Sequence, residues 1–216
     1  MADNIRVAPE NLMKSNDRSR SPAARASAPP GRVRIIGGQY RRTPIAVIGA
    51  PGLRPTPDRV RETVFNWLEH LLGAMTARRA LDLFAGTGAL GFEMASRGAR
   101  QVVLVESDAR AARALEALQA RLGAGAVQVV HGDWREAIAG FAPASFDVIF
   151  LDPPFGSGLM APALRAVRPL LDASGLIYAE GPEPADPALL AGEGLEIVRD
   201  GRAGVVYFHL LRARAC

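Results

Sequence analysis

The stretch Leu81–Gly91, LDLFAGTGALG, decides the fold. Its first half is an apolar run holding one acid, Asp82, and its second half carries Gly86, Gly88 and Gly91 at the spacing GxGxxG. A short apolar run that ends in glycines reads as a buried strand, and the residues beyond it as the helix it feeds. Glycine there permits a tight turn and lets a ligand approach the backbone closely. Phe84, Ala85, Gly86 and Gly88 make up that turn and are candidate ligand contacts. The spacing alone is shared by many nucleotide-binding proteins. Asp82 narrows it, because a carboxylate at the strand end repels a pyrophosphate and attracts a cation.

Working outward, the chain alternates strand and helix from residue 80 onward. Strands are expected at Ala80–Phe84, Gln101–Glu106, Val127–Val130, Phe146–Leu151 and Gly175–Glu180. Helices are expected at Gly88–Arg97, Ala109–Leu122, Trp134–Ala139 and Met160–Leu171. A proline-rich connection, a short helix near Leu189 and two closing strands, Leu195–Arg199 and Val205–Leu211, complete the pattern. Such alternation builds an α/β protein of the Rossmann-like kind, with a mostly parallel seven-stranded sheet and helices on both faces. Ligands bind such sheets beyond the carboxyl ends of the strands.

Further acids fall at those ends. Glu106 closes the second strand, in VVLVESD, where an acid can accept hydrogen bonds from both ribose hydroxyls. Asp133, in HGDW, follows the third strand and can accept from an adenine amino group, with Trp134 bordering the ring or packing inward. Asp108 reads as a helix cap. An adenosine with a cationic tail fits this set. S-adenosylmethionine carries an ammonium and a sulfonium and no phosphate, so it is the expected cofactor.

FDVIFLDPPFGSG, residues 146–158, ends the fourth strand with Asp152, two stiff prolines, Pro153 and Pro154, and the aromatic ring of Phe155. A proline stop after a strand would account for part of it. A carboxylate, a fixed carbonyl and a ring side by side also suit a pocket that grips a flat, amine-bearing ring.

The front of the chain differs. Residues 1–61 carry 12 basic against 4 acidic residues, and the remainder 14 against 18. A basic front on a mildly acidic body points to a polyanion such as nucleic acid. Residues 1–31 are rich in Ser, Ala, Pro and Arg, without apolar period, and read as a disordered basic tail. Residues 32–50 read as a β-hairpin turning at Gly37-Gly38, with Arg32, Arg34, Arg41 and Arg42 as the candidate RNA contacts. Residues 51–216 form the main domain. It opens with GLRPTPDRVRETVFNWLEHLL, where Thr56 caps a helix, Pro57 opens it and Asp58 sits in its first turn. Val60, Val64, Trp67, Leu68 and Leu71 then recur at helical spacing and face inward.

LDLFAGTG, VES, GDW and DPPF in this order resemble class I S-adenosylmethionine-dependent methyltransferases. RIIGGQYR, RPTPDRVRETVFNWL, LDLFAGTGALGFEMASRGA and FLDPPF together resemble the bacterial 16S rRNA (guanine-966-N2)-methyltransferase family, over about residues 32–212. The resemblance implies methyl transfer to the exocyclic N2 of one guanine in the small ribosomal subunit, with S-adenosylhomocysteine as the product. It implies that Asp152 and the Pro153 carbonyl hold the two amine hydrogens while Phe155 stacks on the base. It also implies that Arg54 and Thr56 close over the cofactor, with the helix start holding the methionine carboxylate. Many relatives have tyrosine where Phe155 stands, and stacking needs only the ring.

Two other readings share some of these features. A DNA adenine-N6 methyltransferase uses a similar DPPF-type motif, but no segment here is long enough for a target-recognition domain. A nicotinamide-dependent oxidoreductase uses the glycine pattern, but Asp82 and DPPF oppose it. A catalytically silent RNA-binding module would not need Asp152 and its prolines intact. His70, His131 and His209 are scattered, and no metal is expected. The one cysteine, Cys216, makes a disulfide framework impossible. No run of about 18 uncharged apolar residues is present, so no membrane span is expected. The N-terminal stretch has no apolar signal core, and its acids Asp3, Glu10 and Asp17 fit a transit peptide poorly. A cytoplasmic monomer is expected.

Overall fold

A computed structural model describes residues 33–47 and 56–214. The expected tail, Arg32 and Arg54 lie outside the described residues. A small antiparallel sheet comes first, from β1 (Val33–Arg34) and β2 (Pro44–Ile45), with Val33 opposite Ile45. This is the expected hairpin, with strands of two residues each.

The main sheet holds β3 (Arg79–Asp82), β4 (Gln101–Glu106), β5 (Val127–His131), β6 (Phe146–Leu151), β7 (Leu171–Gly181), β8 (Leu195–Ala203) and β9 (Val206–Ala213). Their order across the sheet is β5-β4-β3-β6-β7-β9-β8. The first five run parallel, while β9 lies antiparallel between β7 and β8. The chain walks one way from β3 to β5, returns to the centre and walks the other way from β6. The crevice between β3 and β6 is therefore the switch point at which such sheets bind ligands.

The helices are α1 (Asp58–Leu72), α2 (Ala89–Ser96), α3 (Ala109–Leu122), α4 (Trp134–Ala139), α5 (Met160–Val167) and α6 (Pro187–Gly192). Residues of α1, α2 and α3 share one core with the hairpin's Val33, Ile35 and Ile45. Residues of α4, α5 and α6 share a second core on the opposite face. The expected helix-covered sheet is present on both faces.

Local chemistry explains the differences in boundary. The helix expected to reach Leu171 stops at Val167 and passes into a 3-10 turn, Arg168–Leu170, because Pro169 cannot continue the hydrogen-bond ladder. Freed earlier, the chain starts β7 at Leu171, opposite Phe146. Thr56 does not cap α1. Pro57 is the cap residue, without a side-chain bond, and the Thr56 hydroxyl is engaged elsewhere. Leu71 points outward, and the inward face is Val60, Arg61, Val64, Phe65 and Leu68, with the Trp67 ring stacked on Phe208 at 5.5 Å. Asp108 does cap α3, accepting from the Arg110 and Ala111 N–H groups.

The glycine loop is tight for a visible reason. Gly88 starts α2 in the left-handed region at φ 76°, where a side chain is strained. A Cβ on Gly91 would lie 2.1 Å from Leu104 of β4, so only glycine lets α2 sit this close to the sheet.

Candidate active site

Four strands of the main sheet finish on or beside an acid: Asp82 ends β3, Glu106 ends β4, Asp152 follows β6, and Glu180 is the penultimate residue of β7. Asp82 and Asp152 flank the switch point. Asp82 is buried and accepts the Gly91 N–H at 3.0 Å. Burial pushes its carboxyl up to about 7; the Gly91 bond opposes this and the charge of Glu106 adds to it. A carboxyl in that condition gains from any cation placed beside it.

Glu106 is held by two backbone donors, Gly86 N–H at 2.7 Å and Asp108 N–H at 2.7 Å. It thereby ties the glycine loop to the end of β4. Phe84 leaves the same loop and meets Trp134 edge-on, with ring centroids 6.0 Å apart. Trp134 is buried in the second core and carries the Arg135 guanidinium over its ring at 4.4 Å. Asp133 caps α4 through the Arg135 N–H and pairs loosely with the Arg135 side chain. Asp133 is solvent-exposed. The structure thus gives Asp133 and Trp134 local structural partners as well as a position beside the glycine loop.

Beyond β6, Pro153 is buried, while Pro154 and Phe155 are exposed. Phe155 is 48% exposed, one of few large apolar side chains presented to solvent among the described residues. The next turn uses left-handed glycines, Gly156 at φ 74° and Gly158 at φ 69°. A flat ring therefore stands at the mouth of the crevice. Asp152 is partly exposed as a residue, but its carboxyl is enclosed by protein. Its pKa is pushed well above the usual range, first by burial, then by the neighbouring charges of Glu180 and Asp82.

Sequence reading missed the partners beneath Asp152. Glu180 is buried, and its Oε2 accepts from the Thr56 hydroxyl at 3.0 Å and from the Tyr178 hydroxyl. The Thr56 hydroxyl also faces the Asp152 carboxyl. Burial raises the Glu180 pKa, against the two hydroxyl bonds. Thr56 enters this site from 124 residues upstream.

A second missed group fastens the hairpin. Glu93, fully buried on α2, accepts the Ile36 N–H at 2.6 Å, the Gly37 N–H at 2.8 Å and Arg97 Nε at 2.9 Å. Arg61, equally buried on α1, lies 3.8 Å from Glu93 and donates to the Arg34 carbonyl and to Asp58. Gly38 presses its turn against the end of α2, where a Cβ would lie 1.8 Å from the Ser96 carbonyl oxygen. Arg34, Arg41 and Arg42 project from the fastened hairpin as exposed residues, Arg34 in an ion pair with Asp58. A cleft of about 260 Å³ runs between the hairpin and α3, from Ile45 and Ala46 to Gly86 and Thr87 of the glycine loop. The hairpin and the glycine loop are thus neighbours.

A switch-point crevice with a glycine loop, strand-end acids and a proline-aromatic corner defines a Rossmann-like methyltransferase fold. Solved structures agree with it. A protein described as a putative methyltransferase yhhF from Escherichia coli has a TM-score of 0.72 and 34% identity, covering 86% of this chain and all of that one. A putative methylase from Haemophilus influenzae has a TM-score of 0.68 and 30% identity, over 86% of this chain and all of that one.

The family model described as Conserved hypothetical protein 95 matches residues 33–212. The Escherichia coli (strain K12) protein named ribosomal RNA small subunit methyltransferase D is 38% identical over 188 residues, 86% of this chain and 92% of that protein. Its namesake in Haemophilus influenzae is 35% identical over 187 residues, 83% of this chain and 93% of that protein. The chain belongs to this family, that of the small-subunit ribosomal RNA methyltransferases D.

Proposed function

We propose that this protein transfers a methyl group from S-adenosylmethionine to the exocyclic N2 of one guanine, the 966-type position, in 16S rRNA of the small ribosomal subunit. The observation that carries the reading is the pairing of Asp82 and Asp152 across one crevice, in a chain of the small-subunit rRNA methyltransferase family. Asp82, buried and uncompensated by a near cation in its own hydrogen bonds, fits a positively charged ligand. Glu106, at the end of β4, fits the ribose hydroxyls, and the Gly86–Gly88 turn fits the close approach of the cofactor to backbone. Asp133 and Trp134 are assigned to the adenine end, and Thr56 with Arg54 to the segment closing over the cofactor.

When bound, S-adenosylmethionine supplies an electrophilic methyl group on sulfur. The protein's task is to bring a poor nucleophile to it. The guanine amine is weakly nucleophilic because its lone pair is delocalised into the ring. Asp152 and the Pro153 carbonyl accept its two hydrogens, which turns the lone pair toward the methyl carbon and favours the positive charge that develops on nitrogen. Proline fixes the direction of that carbonyl. Phe155 stacks on the base, a contact worth about 1–3 kcal/mol in RNA recognition. Arg32, Arg34, Arg41 and Arg42 are assigned to rRNA phosphates.

The test uses small subunits from cells that lack this modification. They are incubated with the protein and methyl-labelled S-adenosylmethionine, and the rRNA is digested and mapped. Label on a single guanine as N2-methylguanine is expected. Label on adenine N6 of DNA, with none on the subunit, would overturn the assignment.

A further inference from the structure

We propose that a cleft at the amino-terminal edge of the main sheet, walled by Arg168, Arg212 and Arg214, binds backbone phosphates of an rRNA segment remote from the target guanine. The inference goes beyond the guanine-N2 reading and rests only on its coarser part, that the substrate is rRNA of the small subunit. It gives this chain a second nucleic-acid surface, on the side of the sheet away from the crevice.

The fold assembles this cleft from distant pieces of chain. The 3-10 turn that follows α5 brings Arg168 to the start of β7, where Leu171 pairs with Phe146 at the start of β6. β9 runs the other way, so its last residues reach the same edge, and there Ala213 pairs with Leu195 of β8. Arg212 and Arg214 flank Ala213, and the alternation of an extended chain turns both toward one face. With Ala144 and Ser174 the three arginines line an open cleft of about 790 Å³. β6 is six residues long, which sets the cleft about 20 Å from the Asp152 end of that strand.

The chemistry of the lining selects the ligand. No acid lines the cleft. Two acids stand beside it and both are engaged. Glu196 accepts Arg212 Nε at 2.6 Å, while Asp172 accepts the Ser174 N–H and hydroxyl and lies 3.7 Å from Arg79. Arg214 Nε donates to the Leu195 carbonyl at 3.0 Å, which holds that guanidinium at the cleft. Arg168 is the informative member: its Nε is enclosed and finds no acceptor among the described residues. A buried donor without a partner is costly, and a phosphate drawn into the cleft brings the acceptor oxygens that the protein withholds. Guanidinium forks match phosphate oxygens two bonds at a time. A nucleic-acid strand also offers one anion per nucleotide, which suits three arginines on one cleft better than a single acidic side chain would. The same edge continues at Arg100, exposed just ahead of β4. The carboxyl edge, with Asp82, Glu106, Asp152 and Glu180, has the opposite chemistry, so the phosphates bound here belong to a different part of the folded RNA from the base in the crevice.

The experiment measures binding of the full-length protein to undermethylated small subunits over a range of salt. It compares wild type with the double variant Arg212→Gln and Arg214→Gln and with the single variant Arg168→Met. The double variant changes only exposed side chains, so it keeps the test valid if Arg168→Met folds poorly. Each lost phosphate contact should reduce the slope of log affinity against log salt by about 0.7–0.9. For the double variant that amounts to weaker binding by about 20-fold near 0.15 M salt. KM for subunits should rise by the same factor, with kcat at saturating subunits and S-adenosylmethionine affinity within about twofold of wild type. A second arm locates the contact. Ser174→Cys, in a chain whose one cysteine is removed by Cys216→Ser, carries a photoactivated aryl azide into the cleft while all three arginines remain. Cross-links to rRNA nucleotides away from the methylated guanine are expected. An unchanged salt slope in the double variant, or cross-links to ribosomal proteins alone, overturns the phosphate cleft while leaving the guanine-N2 assignment standing. Wild-type protein without salt-dependent affinity for the subunit overturns both.

Discussion

Replacing Glu93 with alanine should both destabilise the protein and release the hairpin. Glu93 is fully buried, and its carboxylate satisfies two backbone N–H groups of the hairpin, Ile36 and Gly37, as well as Arg97 Nε. It also lies against Arg61, whose side chain is wholly buried and whose pKa burial lowers. Alanine leaves the buried Arg61 guanidinium with Asp58 as its one remaining counter-charge, Arg97 without its buried carboxylate, and two amides without an acceptor. Removing one partner of a buried ion pair costs about 3–5 kcal/mol. For a domain of this size that lowers Tm by about 6–20 °C. The pair as a whole need not stabilise the fold, since desolvation offsets much of its attraction. The predicted loss comes from orphaning the survivors.

Three measurements check this. Thermal unfolding reads the stability, and Glu69→Ala serves as the comparison. Glu69 bonds Arg97 from a half-exposed position, so its loss should cost under about 1 kcal/mol. Amide exchange at Ile36 and Gly37 reads the hairpin, and should accelerate far more than exchange in β3 or β6. Methyl transfer at a temperature where the variant remains folded reads function: subunit KM should rise while cofactor affinity stays within about twofold. A Tm within 2 °C of wild type, or unchanged exchange at Ile36 and Gly37, would refute the claim that Glu93 bolts the hairpin to the body.

Phe155→Ala should lower kcat/KM for subunits by about 10- to 100-fold, the loss of one base–aromatic stack, without altering cofactor affinity; Phe155→Tyr should keep the rate, and equal rates for all three would remove stacking from the mechanism. Asp82 is raised in the folded state to about 7 from 3.8, so the stability it lends is complete below pH 3.8 and is lost as pH rises through about 7. Asp82→Asn should therefore gain stability relative to wild type by about 3 kcal/mol between pH 5 and pH 8, read from denaturant unfolding at both values, and a constant difference would contradict the burial argument. Neutralising Arg41 and Arg42 should flatten the salt dependence of subunit binding by nearly one unit of slope per lost phosphate contact. Arg42 has φ 69°, so asparagine is the replacement that leaves its backbone unstrained. An unchanged slope would take the hairpin out of the RNA interface.

The readable parts of this chain are those whose cause and consequence lie close together. The Gly86–Gly91 turn, the alternation that sets the sheet and the Asp152–Phe155 corner each follow from residues within one short stretch. Thr56 was misread for the opposite reason. Beside Pro57 and Asp58 a threonine looks like a helix cap, yet its hydroxyl is drawn to Glu180, 124 residues away, because a buried carboxylate is a stronger acceptor than a helix end that water can reach. Leu71 was misread because either Leu71 or Leu72 continues the stripe of Val64 and Leu68 at helical spacing, and it is Leu72 that packs against the core. Glu93 did leave a signal: a lone acid in LGFEMAS, a helix whose every residue is buried, can persist only if something pairs with it. Arg61, four residues from buried Phe65 on the inward face of α1, left the complementary one. Glu180 follows a rule visible across the whole sheet. Asp82, Glu106, Asp152 and Glu180 stand at or beside the carboxyl ends of β3, β4, β6 and β7, where backbone donors and an incoming cation can compensate charge that the rest of the sheet excludes. Read one strand at a time, each is a loop acid; read across the sheet order, they form one rim of carboxyl groups around the switch point.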